Sequence, residues 1–418
     1  MAALNVLDKK IRIQGNGIKI SPELEVELQK EGYYPIALTW ISDDVTGPFS
    51  FAGYGDNSPL ELKRVDGEFQ VWENGEFFTA VDYYKRPQFF DCQWVPPGEK
   101  IKGGTVFIDE GISGVIPRDG KPHKAEEGDI FKVVQGGSFP FMILACYNGL
   151  VIWPSWGCLY AKQNLPCKFC CLPEGYSENR IVANYPEWFE GLGDSFELAL
   201  KEIGPEIGAC SITVDSGTLP GRDKGARVYI QVLEALRKRI GYLPETIYTR
   251  AVIEPPLDEE WLYALREAGY DSIQMDVDVY DEEGRRWVMP NAKGFRPVKD
   301  YEKALSKAKE IFPKEVTTQL VAGIQRDEDL LEGVERFARI GVPTLVSPFL
   351  PYGHGARFRE EKGVQVPHED RMKRLYDRSA EILTRHDVPA PEFRGGISTL
   401  SETMGKRLKR NACFTNIR

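Results

Sequence analysis

From about residue 141 the chain repeats one pattern six times: a short apolar run, then an amphipathic stretch of helical period. The runs are GLVIW (149–153), CSITV (210–214), TIYTRAVI (246–253), SIQMDV (272–277), VTTQLVA (316–322) and PTLVSPF (343–349). Stripes between and after them carry Ala226, Tyr229, Ile230, Leu233, Leu236 and Ile240; Tyr301, Ala304, Leu305, Ala308 and Ile311; Leu330, Leu331, Val334 and Phe337; and Met372, Leu375, Ser379, Ile382 and Leu383. A further helix is expected over 187–203, interrupted by Gly191 and Gly193. Strand and helix alternating in this way specify an α/β fold with a parallel sheet. Six units fall two short of a closed eight-stranded barrel, so the expected fold is a partial (β/α)6 TIM-like barrel over 141–400. In such barrels the chemistry lies on loops at the C-terminal ends of the strands, which puts the loop after the first run on the active face.

Residues 1–140 have a different texture, rich in Gly, Pro and aromatics. Runs such as KIRIQ, PFSFAG, EFQVW, TVFID and DIFKVV read as short strands, and Asp66-Gly67, Asn74-Gly75 and Asp119-Gly120 as tight turns. This segment is expected to be a β-rich accessory unit that folds back to cover the barrel, with 401–418 as a C-terminal tail.

Composition narrows the function classes. The 53 basic and 63 acidic residues leave a net charge of −10, which argues against nucleic acid as a main partner. There is no apolar run of membrane-spanning length, and the N-terminal MAALNVLDKKIRIQGNG lacks the apolar core of a signal peptide, so a cytoplasmic protein is expected. Four of the eight cysteines fall in PSWGCLYAKQNLPCKFCC, residues 154–171. In a reducing compartment, clustered thiols point to metal.

Cys158, Cys167 and Cys170 have the spacing C-x8-C-x2-C, with Cys171 adjacent to the last. Thiolates favour iron-sulfur clusters, zinc and cuprous ions. A structural zinc site needs four protein ligands, and His123 and His354 stand in no His pair that would complete one. Three thiolates suit a four-iron cluster with one iron left open to a small molecule. The rival classes are a zinc-stabilised barrel hydrolase and a non-catalytic iron-sulfur carrier.

An open cluster site after the first strand of a six-unit barrel resembles the radical S-adenosylmethionine superfamily. Its usual motif is C-x3-C-x2-C with an aromatic residue before the third cysteine, a place Phe169 occupies; the first gap here is eight. The resemblance runs from about Phe141 to Leu400. After the second strand the family has a Gly-Gly-Glu-Pro stretch, where this chain reads VDSGTLPG with Ser216, Gly217 and Thr218 at the turn. The family carboxylate is absent there, and Asp215 or the carbonyls of the turn stand in its place. Glu254, Asp276 and Asp278 fall where the resemblance places side chains on the ribose and methionine, and Gly323 where adenine packs. The stretches VSPFLPYGHGARF and FRGGIS resemble the last strand and a C-terminal element of the family.

The resemblance implies a four-iron four-sulfur cluster on Cys158, Cys167 and Cys170, with Phe169 against it and Cys171 turned away. It further implies S-adenosylmethionine as cofactor, a small-molecule substrate, and a low-potential electron donor such as a flavodoxin or ferredoxin. Cys92, Cys146, Cys210 and Cys413 have no second cluster spacing, and no cobalamin-type Asp-x-His-x-x-Gly stretch occurs. These absences favour rearrangement, cleavage or C–C bond formation on a small molecule over peptide maturation or cobalamin-dependent methyl transfer. No catalytic acid or base is assigned; His354 and Arg394 are candidates for the barrel mouth.

Overall fold

The computed structural model describes residues 5–24, 27, 38–41, 49–51, 58–83, 90–95, 106–108, 115–118, 121–124, 130–135, 143–146, 149–154, 158–170, 189, 192–193, 196–197, 211–241, 248–349, 354–361, 363–393 and 396–406. Arg394, Tyr352, Cys171, Cys210 and Cys413 lie outside them, as do the side chains of Cys92, Cys146 and His354.

The chain opens with a helix, α1 (Val6–Asn16), where KIRIQ was expected to be a strand. Asn5 caps it by accepting from the Asp8 N–H, and Gly17 closes it at φ 68°. The alternation of Ile11 and Ile13 that suggested a strand has another cause: Ile11 packs into the barrel core and Ile13 into the core under the N-terminal sheet. A helix between two cores buries both of its sides.

That sheet has the order β2-β1-β5-β4-β3, from β1 (Leu38–Ile41), β2 (Phe49–Phe51), β3 (Leu60–Val65), β4 (Glu68–Glu73) and β5 (Glu76–Tyr83). Its hairpins turn at Asp66-Gly67 and Asn74-Gly75, and all four residues have positive φ, as a two-residue I′ turn requires. A three-stranded sheet joins β6 (Phe90–Val95), β7 (Val106–Ile108) and β10 (Ile130–Gln135), and β8 (Val115–Arg118) pairs with β9 (Lys121–Lys124).

A seven-stranded sheet follows, in sequence order: β11 (Ile143–Cys146), β12 (Gly149–Ile152), β13 (Ser211–Asp215), β14 (Tyr248–Val252), β15 (Ser272–Gln274), β16 (Val316–Ala322) and β17 (Thr344–Pro348). The six strands from β12 to β17 are parallel, the partial-barrel arrangement expected from the sequence; β11 adds an antiparallel edge. Its helices are α2 (Leu159–Lys162), α3 (Ala226–Ile240), α4 (Glu260–Glu267), α5 (Glu282–Val288), α6 (Ala292–Phe295), α7 (Val298–Ile311), α8 (Asp327–Arg339), α9 (His354–Phe358), α10 (Glu369–Arg385) and α11 (Thr399–Thr403). Of the helix expected over 187–203, residues 189, 192–193 and 196–197 are described and helical.

The fourth apolar run is a strand only to Gln274. Residues 275–277 leave the ladder, and Asp278 rejoins β16 through an isolated bridge to Leu320 at φ 65°. The segment that follows, α5 and α6, carries no apolar stripe long enough to have been read from sequence.

The sheet has two unlike faces. Ile212, Val214, Ala251, Ile273 and Val316 join Tyr229, Leu233, Leu305 and Val334 of the helices in one core. The opposite face, toward the barrel interior, carries Thr213, Arg250, Ser272, Gln274 and Thr317. Residues paired across a ladder share a face, so register alone fixes this division. The N-terminal region is tied to the barrel by a buried Lys10–Glu402 pair and by Arg12, which bonds Glu73 of β4 and Glu369 of α10. Glu369 begins α10, so Arg12 joins the N-terminal sheet to the start of that helix.

Among the described residues, no helix is long and apolar enough to cross a membrane.

Candidate active site

The cysteine loop is fastened to the turns after three different strands. The Leu159 N–H donates to the Thr218 carbonyl beyond β13, the Lys168 N–H to Val288 beyond β15, and the Gly355 N–H to Cys170 beyond β17, at 2.8, 2.8 and 3.2 Å. Cys158 leads directly into α2, and Cys167 and Cys170 share a turn in which the Cys170 N–H bonds the Cys167 carbonyl. All three cysteines are partly exposed and none is in a disulfide.

Asn291 Nδ2 lies 3.6 Å from Cys167 Sγ and also donates to the Leu165 carbonyl at 2.9 Å. Burial pushes the Cys167 thiol up to about 12, against the pull of the Lys293 ammonium. Phe169 packs beside Cys167 against Val279, Val288 and Phe349.

Among the described residues, no three Cys, His, Asp or Glu side chains converge on a point suited to a single metal ion. A four-iron cluster makes a different demand, since its thiolate ligands sit at separate corners of a cube. Three soft donors outside disulfides on a fastened loop, with Cys158 and Cys167 close enough to interact, have the chemistry for that group.

Beside the loop, Glu254 is the hub of a buried network. Tyr160 OH donates to its Oε2 at 2.8 Å, Thr218 Oγ1 donates to the same oxygen at 2.8 Å, and Lys224 Nζ lies 3.1 Å from Oε1. Burial, reinforced by Glu254, raises the Tyr160 phenol far above its usual range, so it is a donor at all working pH values. Ser216 turns back, donating to the Gly217 carbonyl at 2.9 Å and lying 3.2 Å from Tyr229 OH.

Asp278 pairs with Lys293 at 2.5 Å. Burial works against charge on Lys293, but Asp278, Tyr301 and Cys167 outweigh it and hold the ammonium protonated. Asp276 accepts from Gln274 Nε2 at 3.0 and 3.2 Å, and burial with neighbouring Asp278 lifts its carboxyl to about 7.

Gly323 has φ 98°, and the space a side chain would take there is filled by the Gln365 carbonyl and Pro367. The close approach that demands glycine at this position is made by the chain itself.

Asp276 gives a test of this electrostatic picture. Its folded pKa lies above the unfolded value of 3.8, so the native state holds a proton the unfolded chain has lost, and this group's contribution to stability falls as pH rises from about 4 to 7. Asp276→Asn is therefore expected to gain stability over the parent at pH 8 and to show little difference near pH 4, read by urea unfolding. An equal difference at both pH values would contradict the assignment.

The structure thus brings Cys158, Cys167, Thr218, Glu254, Asp276 and Asp278 to one end of the sheet. It adds Tyr160, Lys224, Asn291 and Lys293, which sequence reading missed. Tyr160 sits two residues after Cys158 and could have been found from that spacing; Lys224 and Lys293 carry no sequence signal.

The sequence profile of the radical SAM superfamily matches residues 161–358. That stretch, just under half of the chain, is similar to the radical SAM superfamily. The match covers Cys167 and Cys170 and begins past Cys158. Similar solved structures include coproporphyrinogen III oxidase (HemN) from Escherichia coli, described as a radical SAM enzyme, at 18% identity over 53% of this chain and 50% of that one, TM-score 0.38. The FeFe-hydrogenase maturase HydG from Carboxydothermus hydrogenoformans is 16% identical over 59% of this chain and 56% of that one, TM-score 0.44. The radical S-adenosylmethionine methyltransferase TsrM from Kitasatospora setae, solved with cobalamin and a 4Fe-4S cluster bound, is 16% identical over 50% of this chain and 36% of that one, TM-score 0.35. The chain spans about half the length of the first two. No curated protein matches it.

Proposed function

We propose that the protein uses a 4Fe-4S cluster on Cys158, Cys167 and Cys170 to cleave S-adenosylmethionine reductively and act on a small-molecule substrate held in the barrel. The observation that carries this reading is the fastening of a three-cysteine loop over a buried polar network at the C-terminal ends of the strands, within the domain the family profile matches. Held by Cys158, Cys167 and Cys170, the cluster would pass one electron from a low-potential donor such as a flavodoxin or ferredoxin to the sulfonium, whose C–S bond would break to leave methionine and a 5′-deoxyadenosyl radical able to take a hydrogen atom from the substrate.

The chain's own residues bind and orient. Glu254, fixed by Tyr160, Thr218 and Lys224, presents a rigid carboxylate at the rim for a hydroxyl or amino group of the cofactor. Asp278 and Lys293 offer an acceptor and a cation side by side. Ser216, Gly217 and Thr218 line the turn over α2, and Phe169 shields the cysteine turn from water. At Gly323 the close approach is made by Gln365 and Pro367, so adenine packing is not assigned to it. A rearrangement, cleavage or C–C bond formation is the overall reaction this reading favours, in the cytoplasm.

The test is anaerobic: reconstitute the protein with iron and sulfide, add dithionite and S-adenosylmethionine, and look for 5′-deoxyadenosine. Brown protein that forms none would reduce the chain to an electron carrier; colourless protein with stoichiometric zinc would make it a zinc-stabilised barrel. Asp278→Asn, which keeps a side chain tolerant of positive φ, should weaken cofactor binding by about 1 to 3 kcal/mol with iron content unchanged. Equal calorimetric affinity in Asp278→Asn and Glu254→Gln would move the cofactor elsewhere.

A further inference from the structure

Among the described residues, three buried polar atoms on the interior face of the sheet have no hydrogen-bond partner: Thr213 Oγ1, Gln274 Oε1 and Thr317 Oγ1. Their residues are at most 1% exposed. Gln274 and Thr317 are register partners on β15 and β16, and Gln274 follows Val252 and Asp215 along the same row. A buried polar atom without a partner is costly, so atoms gathered on one face are suited to a group that pairs with them.

The chemistry of the surround selects that group. Gln274 commits its Nε2 to Asp276 and leaves only an acceptor, Oε1, toward the interior. Asp215 shares the row, and Asp276 accepts from Gln274 beside it. Of the nearby cations, Lys293 bonds Asp278, and Arg250, on the same face two residues before Val252, bonds Glu315 and Ser272. Two carboxylates, an amide oxygen and hydroxyls able to accept make an acceptor-rich enclosure, which a group with several N–H donors and a positive charge completes.

We propose that the substrate carries a primary ammonium group, seated in the barrel interior among Asp215, Asp276, Gln274 Oε1 and Thr317 Oγ1. This rests on the reading of the barrel as the substrate chamber of a radical SAM enzyme. The same chemistry is carried by the amino group of S-adenosylmethionine, so the test separates the two sources.

Saturation-transfer NMR on the full-length protein would compare propyl-, butyl- and pentylamine with the alcohols of equal chain length. The amines should bind the parent protein in preference to the alcohols. In Gln274→Leu and Thr317→Val, two near-isosteric changes, amine affinity should fall by about tenfold or more, the loss expected for a hydrogen bond to a charged group. Calorimetric affinity for S-adenosylmethionine should stay at the parent value in both.

Amines binding no better than alcohols in the parent would overturn the proposal. So would a parallel loss of S-adenosylmethionine affinity in the variants, together with a parent protein that binds the deaminated cofactor as weakly as they bind the intact one, because the ammonium would then be the cofactor's. Amine preference without any cofactor binding would defeat the proposed function and leave the ammonium site standing.

Discussion

Alanine at Cys158, Cys167 or Cys170 is expected to abolish iron loading and all 5′-deoxyadenosine formation under anaerobic reconstitution, while Cys171→Ala remains brown and active. Three ligands are the number that leaves one iron open, so losing any of them should remove the cluster and not merely shift its potential. The loop itself should survive: its anchors to the turns after β13, β15 and β17 are backbone hydrogen bonds from Leu159, Lys168 and Gly355, which none of the four replacements removes. Circular dichroism of the iron-free variants should therefore match the iron-free parent. Cys158 is the sharpest of the four, since the family profile begins beyond it, at residue 161. Full loading and activity in Cys158→Ala with loss in Cys171→Ala would exclude the long gap from the motif.

Arg285→Met is expected to cost about 3 to 5 kcal/mol of stability, the range for breaking a fully buried charged network. The guanidinium is buried and gives its hydrogen bonds to four backbone carbonyls, those of Val277, Val279, Lys293 and Arg296. It also stacks over the Tyr301 ring at 4.9 Å. Methionine fills much of the space and donates nothing, so each of these carbonyls loses a partner far from water. Two of them bracket the segment after β15 where Asp278 stands, and a third belongs to Lys293. Urea unfolding measures the loss; a change below about 1 kcal/mol would mean that other donors take over these carbonyls.

The six parallel strands were legible because a strand covered by helices must be apolar on one face, and short apolar runs at even spacing follow from that. Turn chemistry was equally readable: Asp66-Gly67 and Asn74-Gly75 stand in the left-handed backbone their identities favour. Two kinds of feature escaped. KIRIQ alternates because two cores flank one helix, a cause lying in contacts distant along the chain. The pairing of Lys293 with Asp278, and of Lys224 with Glu254, depends on loops between strands whose path no periodicity records. Thiol spacing singled out the loop because soft-metal ligation would constrain residue type, whereas a lysine that neutralises a nearby acid can be supplied from almost any adjoining segment.

The division of the sheet into an apolar outer face and a polar inner one bears on how such a protein can diversify. Folding draws on the outer face, where Ile212, Val214, Ala251 and Ile273 meet the helices, and changes there leave cavities. On the inner face, Thr213, Gln274 and Thr317 hold unpartnered atoms, so exchanging them for apolar residues of similar shape removes a desolvation cost and leaves the fold intact. Under the proposed function, inner positions can be exchanged one at a time to change what the interior accepts while the fold keeps its outer core.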